Sequence, residues 1–143
     1  NVITLSDMFS GCFSLKSINF GDFDTSSVED MSSMFYGCTA LESLDLSKFD
    51  TSSVTSFLYM FSECSSLKRL NLSNFNTSSA LEVGGMFKSC TALEALNVDN
   101  VDTSLITDIS EMFCECNSLK ALNLRSFNTE LVTDMQSTFT GCQ

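Results

Sequence analysis

The chain has 143 residues, with 7 Lys and Arg against 18 Asp and Glu, for a formal net charge of −11. That balance argues against nucleic acid and anionic membrane surfaces as partners, since both are bound through Lys/Arg clusters. There is no His, which excludes imidazole acid–base catalysis and His-ligated metal. Hydrophobic residues make up 43%, enough for a core and too many for a disordered acidic tail.

No apolar run approaches the ~20 residues of a membrane span, and no signal peptide is visible. The chain starts Asn1-Val2-Ile3 rather than with Met, as a processed product or an excerpt of something longer would.

Self-similarity organises everything else. Cysteines stand at 12, 38, 64, 90, 116 and 142, each 26 residues from the last. Met-Phe recurs at 8–9, 34–35, 60–61, 86–87 and 112–113, with Thr138-Phe139 as an altered copy. Leucines at 15, 41, 67, 93 and 119 and threonines at 25, 51, 77, 103 and 129 keep the same step.

Taken in chain order, each copy switches apolar period. Ser27 with Asp30 resembles a capping box, as does Ser79 with Glu82, and each is expected to open a helix. Val28, Met31, Met34, Phe35 and Cys38 follow at three- and four-residue steps, the stripe of a short amphipathic helix. Gly11, Gly37 and Gly141 sit where such helices would stop. Leu41, Leu44 and Leu46 then end in alternation around Asp45, which predicts a strand with one face buried. Phe49-Asp50-Thr51-Ser52-Ser53 closes the unit as a turn.

Stacked at about 4.8 Å, the columns 18, 44, 70, 96, 122 and 20, 46, 72, 98, 124 would line the inner face of a parallel sheet. The fold class expected is therefore α/β: a leucine-rich-repeat solenoid of about 5.5 coils, sheet on one face and short helices on the other. Residues 1–143 read as a single such domain. Its ends cut through a repeat with no polar cap, as in a segment of a longer array or in copies that associate end to end.

The run Leu41-x-x-Leu44-x-Leu46 is the leucine-rich-repeat strand signature. The fuller unit, Met34-Phe35-Tyr36-Gly37-Cys38-x-x-Leu41 through Phe49-Asp50-Thr51-Ser52-Ser53-Val54, resembles the BspA-like leucine-rich-repeat surface proteins of bacteria and the related mycoplasma-type lipoprotein repeats. The resemblance spans the whole chain. It implies a secreted or surface-anchored protein, hence a cell-surface or extracellular location, acting in adhesion or host interaction. One departure is that Phe49 and its equivalents stand where ordinary leucine-rich repeats place an Asn ladder.

Three side-chain ladders invite chemistry. The cysteines could form disulfides or hold metal, but they lie in the apolar stripe, where buried reduced thiols are the favoured reading. Cys114 shares its column with Ser10, Tyr36, Ser62, Lys88 and Thr140 and is expected to be exposed, a drifted surface position or a reactive thiol. The threonines, preceded by Asp24, Asp50, Asn76, Asp102 and Asn128, could build a calcium or ice-binding array. Hydrogen bonding to turn backbone is favoured over both. Lys16, Glu42, Lys68, Glu94 and Lys120 alternate in sign and read as a guard of register. No cofactor is expected and no catalytic constellation is present, so an enzyme is not expected.

The expected function is a non-enzymatic recognition module, binding protein or glycan at the cell surface in the manner of an adhesin. The alternative is a passive spacer that projects another domain. Recognition would use the outer sheet face. Its middle column is Asn19, Asp45, Asn71, Asn97 and Asn123, a ladder expected to stack amide on amide. Its flanks vary, with Arg69 in one and Asp99 and Arg125 in the other. Interface hot spots favour Arg, so Arg69 and Arg125 lead the candidate set, with Asp99, Asp45, Asn71, Asn97 and Asn123 beside them.

Overall fold

A computed structural model describes residues 2–143; Asn1 lies outside the described residues. Successive 26-residue units lie side by side in register. Parallel bridges join Thr4 to Asp30, Asp30 to Ser56, Ser56 to Glu82, and Asp108 to Asp134.

The segment expected to be helical shows how the backbone is used. The N–H groups of Met31, Ser33, Phe35 and Gly37 donate to the carbonyls of Ser56, Leu58, Met60 and Ser62 in the next unit, at 2.8–3.0 Å. The alternate residues Met34, Tyr36 and Cys38 instead donate to carbonyls three residues back. An α-helix needs every N–H for the carbonyl four residues earlier. Here every second donor leaves the unit, and what remains is a run of overlapping turns.

The dihedrals agree. Ser33 (φ 53°) and Gly37 (φ 68°) are left-handed, four residues apart. Their equivalents Asp7, Tyr59, Gly85, Glu111 and Ser137, and Gly11, Glu63, Ser89, Glu115 and Gly141, are left-handed too. L-residues in that region cannot continue a right-handed helix.

Strand structure is equally sparse. β1 (Arg69–Asn71) pairs in parallel with β2 (Ala95–Asn97), with Leu70 opposite Leu96. The α/β leucine-rich-repeat solenoid expected from the sequence is thus overturned. Among the described residues there is no helix, and the sheet consists of two strands of three residues each. The apolar columns still point inward. Leu46, Leu70, Leu72, Leu96 and Val98 are buried, while Ile18, Phe20, Leu44, Leu122 and Leu124 are half-buried.

The core runs the length of the stack. Phe9, Phe35, Phe61, Phe87, Phe113 and Phe139 form one continuous column, ring centroids 5.5–5.8 Å apart and planes within 9° of parallel. Met34, Met60, Met86 and Met112 are buried beside it. Each fully buried side chain of this size contributes roughly 1.5–3 kcal/mol, and the ring stacks tie each unit to those before and after it. Phe49, Phe75 and Val101 fill the column that ordinary leucine-rich repeats give to an Asn ladder, and all three are buried.

Candidate recognition face

The strand pair builds the face from alternation. Leu70 and Leu96 turn inward, which leaves Arg69 and Asn71 exposed and Ala95 and Asn97 half-exposed. Around them lies a shallow depression of about 480 Å³, bordered by Leu44, Glu94 and Lys120 as well. Lys120 Nζ donates to Glu94 Oε2 at 2.8 Å, and that bond holds the Glu94 carboxyl below its usual range.

The structure brings Arg69, Asn71 and Asn97 together at this depression. Asp99, Asn123 and Arg125 form a second group. Asn123 Nδ2 donates to Asp99 Oδ1 at 2.8 Å, and Arg125 N–H donates to Asn123 Oδ1 at 3.2 Å. Asp45 is in neither group; it lines a separate depression of about 280 Å³ with Phe20, Lys48 and Phe49.

The amide-stacking column is a correction. Asn19, Asp45, Asn71, Asn97 and Asn123 each accept, through Oδ1, the N–H two residues on, at 3.0–3.2 Å. These are turns closed by a side-chain oxygen, a task that Asp and Asn share because both offer that oxygen. The Ser47 N–H holds the Asp45 carboxyl below the usual carboxylate range.

The threonine ladder bonds backbone. Thr25, Thr51, Thr77 and Thr103 are buried, and each Oγ1 donates to the carbonyl of residue i+25 at 2.7–3.0 Å. The same oxygen accepts the N–H of that residue at 2.7–2.9 Å. Asp24, Asp50, Asn76, Asp102 and Asn128 close the adjoining turns through Oδ1. With its hydroxyls committed in this way, the column is a clamp between units.

The thiols behave alike. All seven cysteines are free. Cys38, Cys64, Cys90 and Cys116 are fully buried, and each Sγ donates to a Phe carbonyl of the preceding unit at 3.1–3.2 Å. Burial pushes the Cys38 thiol up to about 11 and the Cys116 thiol up to about 12, and raises those of Cys64 and Cys90 as well. No cluster of three or more His, Cys, Asp or Glu with metal-binding geometry occurs among the described residues.

The repeat that builds these ladders is also what the comparisons detect. The chain matches the family described as "Mycoplasma protein of unknown function, DUF285" over residues 3–97 and 86–143. The chain belongs to that family. No curated protein and no solved structure matches it. The two matched stretches overlap at 86–97, which contains β2, and β1 lies within the first stretch.

Elsewhere in this DUF285 chain, Cys114 corrects a further expectation: it is buried at 7% exposure. Ser62 in the same column is buried too, while Tyr36 and Thr140 are exposed. The middle of the column is covered by neighbouring units, where the Lys88–Glu111 pair closes at 2.8 Å. The alternating charges do pair where Lys16 meets Glu42 (3.3 Å) and Lys120 meets Glu94 (2.8 Å). Sequence reasoning missed Tyr36, Tyr59 and Glu63, which meet Ser62 and Lys88 at a third depression. The signal was available, since these are the only two tyrosines of the chain and they fall in neighbouring repeats. No helix of the described residues is long and apolar enough to cross a membrane.

Proposed function

We propose that the chain is a non-enzymatic recognition module, binding a protein or glycan at the cell surface through the face around β1 and β2. The observation that carries this reading is the gathering of Arg69, Asn71 and Asn97 on one shallow, partly apolar depression, with Lys120 and Glu94 at its rim. An Arg beside desolvatable aliphatic surface is a usual source of interface energy. The open, shallow form of the depression suits a macromolecular ligand better than an enclosed small molecule. The resemblance of the Met-Phe-x-x-Cys and Phe-Asp-Thr-Ser blocks to BspA-like surface proteins supports an extracellular location.

The test is capture of the labelled chain on a printed panel of extracellular-matrix proteins and glycans. Arg69→Glu with Arg125→Glu should cut capture about tenfold, as loss of two charge-assisted contacts would. Both side chains are exposed, so the melting temperature should move by no more than about 2 °C. Unchanged capture by the double variant overturns the assignment. A second reading, the passive spacer, is favoured by the unbroken threonine clamps, which stiffen the stack without presenting a ligand group. A spacer would leave the panel blank.

A further inference from the structure

Away from the strand pair, Tyr36, Tyr59, Ser62, Glu63 and Lys88 line a depression of about 240 Å³ that shares no residue with the recognition face. Tyr36 is exposed, and its Oη donates to Glu63 Oε1 at 2.8 Å, which sets a carboxylate beside the ring. The backbone there follows the repeat. Tyr59 (φ 54°) and Glu63 (φ 63°) both occupy the left-handed region. Every unit is left-handed at these two columns, so the conformation belongs to the repeat, and what is particular to this unit is the tyrosine and the glutamate placed there. Other units place Asp7, Ser33, Gly85, Glu111 and Ser137 in the Tyr59 column, and Gly11, Gly37, Ser89, Glu115 and Gly141 in the Glu63 column. Inter-unit bonds hold both residues there: Tyr59 N–H donates to the Gly84 carbonyl and Glu63 N–H to that of Lys88. Gly85 completes the platform, because any Cβ at that position would overlap the Tyr59 ring.

We propose that this cluster is a second binding site and that it takes a single pyranose ring of a neutral saccharide. Aromatic faces are electron-rich and attract the C–H-bearing face of a sugar. Glu63, Ser62 and Lys88 surround the rings with acceptors and donors for hydroxyl groups. Charge decides against an anionic ligand: Lys88 is already paired with Glu111 at 2.8 Å, and Glu63 adds a further negative charge. Size decides against a longer chain buried whole, since the depression is below the roughly 300–1,000 Å³ of sites that enclose drug-sized ligands. The inference stands independently of the reading given to the β1–β2 face.

Saturation-transfer NMR with the methyl glycosides of galactose, mannose and N-acetylglucosamine tests it, irradiating the aromatic protons of the full chain. At least one glycoside should receive saturation at the methine protons of one ring face. Tyr36→Ala and Glu63→Gln, both at exposed positions, should each weaken binding about tenfold. Arg69→Glu with Arg125→Glu should leave it unchanged. Silence from all three glycosides, or full signal in both the Tyr36 and Glu63 variants, overturns the proposal. So does loss of the signal in the arginine pair, which would return the sugar to the other face. Binding of an oligoglutamate peptide that is lost in Lys88→Gln would replace the saccharide with an anionic peptide.

Discussion

The ladder threonines and cysteines of this chain are backbone partners, and that assigns each an energy. Thr77 donates to the Asp102 carbonyl and accepts its N–H while 4% exposed, so Thr77→Val strands two backbone groups at once. Urea unfolding should show a loss of about 1–3 kcal/mol, whereas Thr129→Val, at an exposed position, should change stability by less than about 0.5 kcal/mol. The thiols predict a pH dependence. Burial favours the protonated form, so above the ordinary value near 9 the native state binds more protons than the unfolded chain. Stability should therefore be level up to about pH 9 and fall as pH climbs through about 11 and about 12, measured by urea unfolding in reductant. A flat profile to pH 11 would contradict it. Pulsed alkylation followed by mass spectrometry should label the half-buried Cys12 and Cys142 first and Cys38, Cys64, Cys90, Cys114 and Cys116 slowly. Most of these roles were legible in the sequence, because Asp/Asn exchange before a conserved-step Thr already marks a turn, and an apolar-stripe Cys marks burial. Cys114 was not, since cover by the next unit's side chains is invisible in a single column.

At the scale of elements, sequence and structure part. Val28, Met31, Met34, Phe35 and Cys38 carry a helical period, yet the segment is a run of turns because half its N–H groups bond the next unit. Turns closing three residues back place side chains at nearly the spacing a helix does, so hydrophobic period alone cannot separate the two. The informative residues were Gly85 and the Gly11, Gly37 and Gly141 column, two left-handed positions four apart inside one supposed helix. Gly85→Ala should cost about 1–2 kcal/mol from the positive φ alone, with more from displacing Tyr59. In a Tyr59→Ser background the steric part should vanish, a coupling that a double-mutant cycle by urea unfolding would read. Phe61 sits fully buried between Phe35 and Phe87, and Phe61→Ala should cost about 3–5 kcal/mol. The strand pair at Arg69–Asn71 and Ala95–Asn97 was legible from alternation, and so was the outward turn of Arg69; its failure to spread through all units was not.

For the whole molecule, the repeat step is the controlling quantity. Every ladder joins residues 25 to 29 apart, so removing residues 60–85 brings Tyr59 against Met86 and restores each column. That deletion should fold, with dispersed NMR amide signals and a cooperative melt. Removing 13 residues sets turn columns against strand columns and should abolish both; equal melts for the two deletions would contradict the register. The same bonding has a mechanical consequence. Because the hydrogen bonds run from unit to unit, tension applied to the two chain ends loads only the outermost unit's bonds at any moment. The protein should then yield by peeling, one unit at a time. Each event would free 26 residues, roughly 90 Å of contour at about 3.5 Å per residue. Under load the stack would lengthen in even steps while the units not yet reached stay folded.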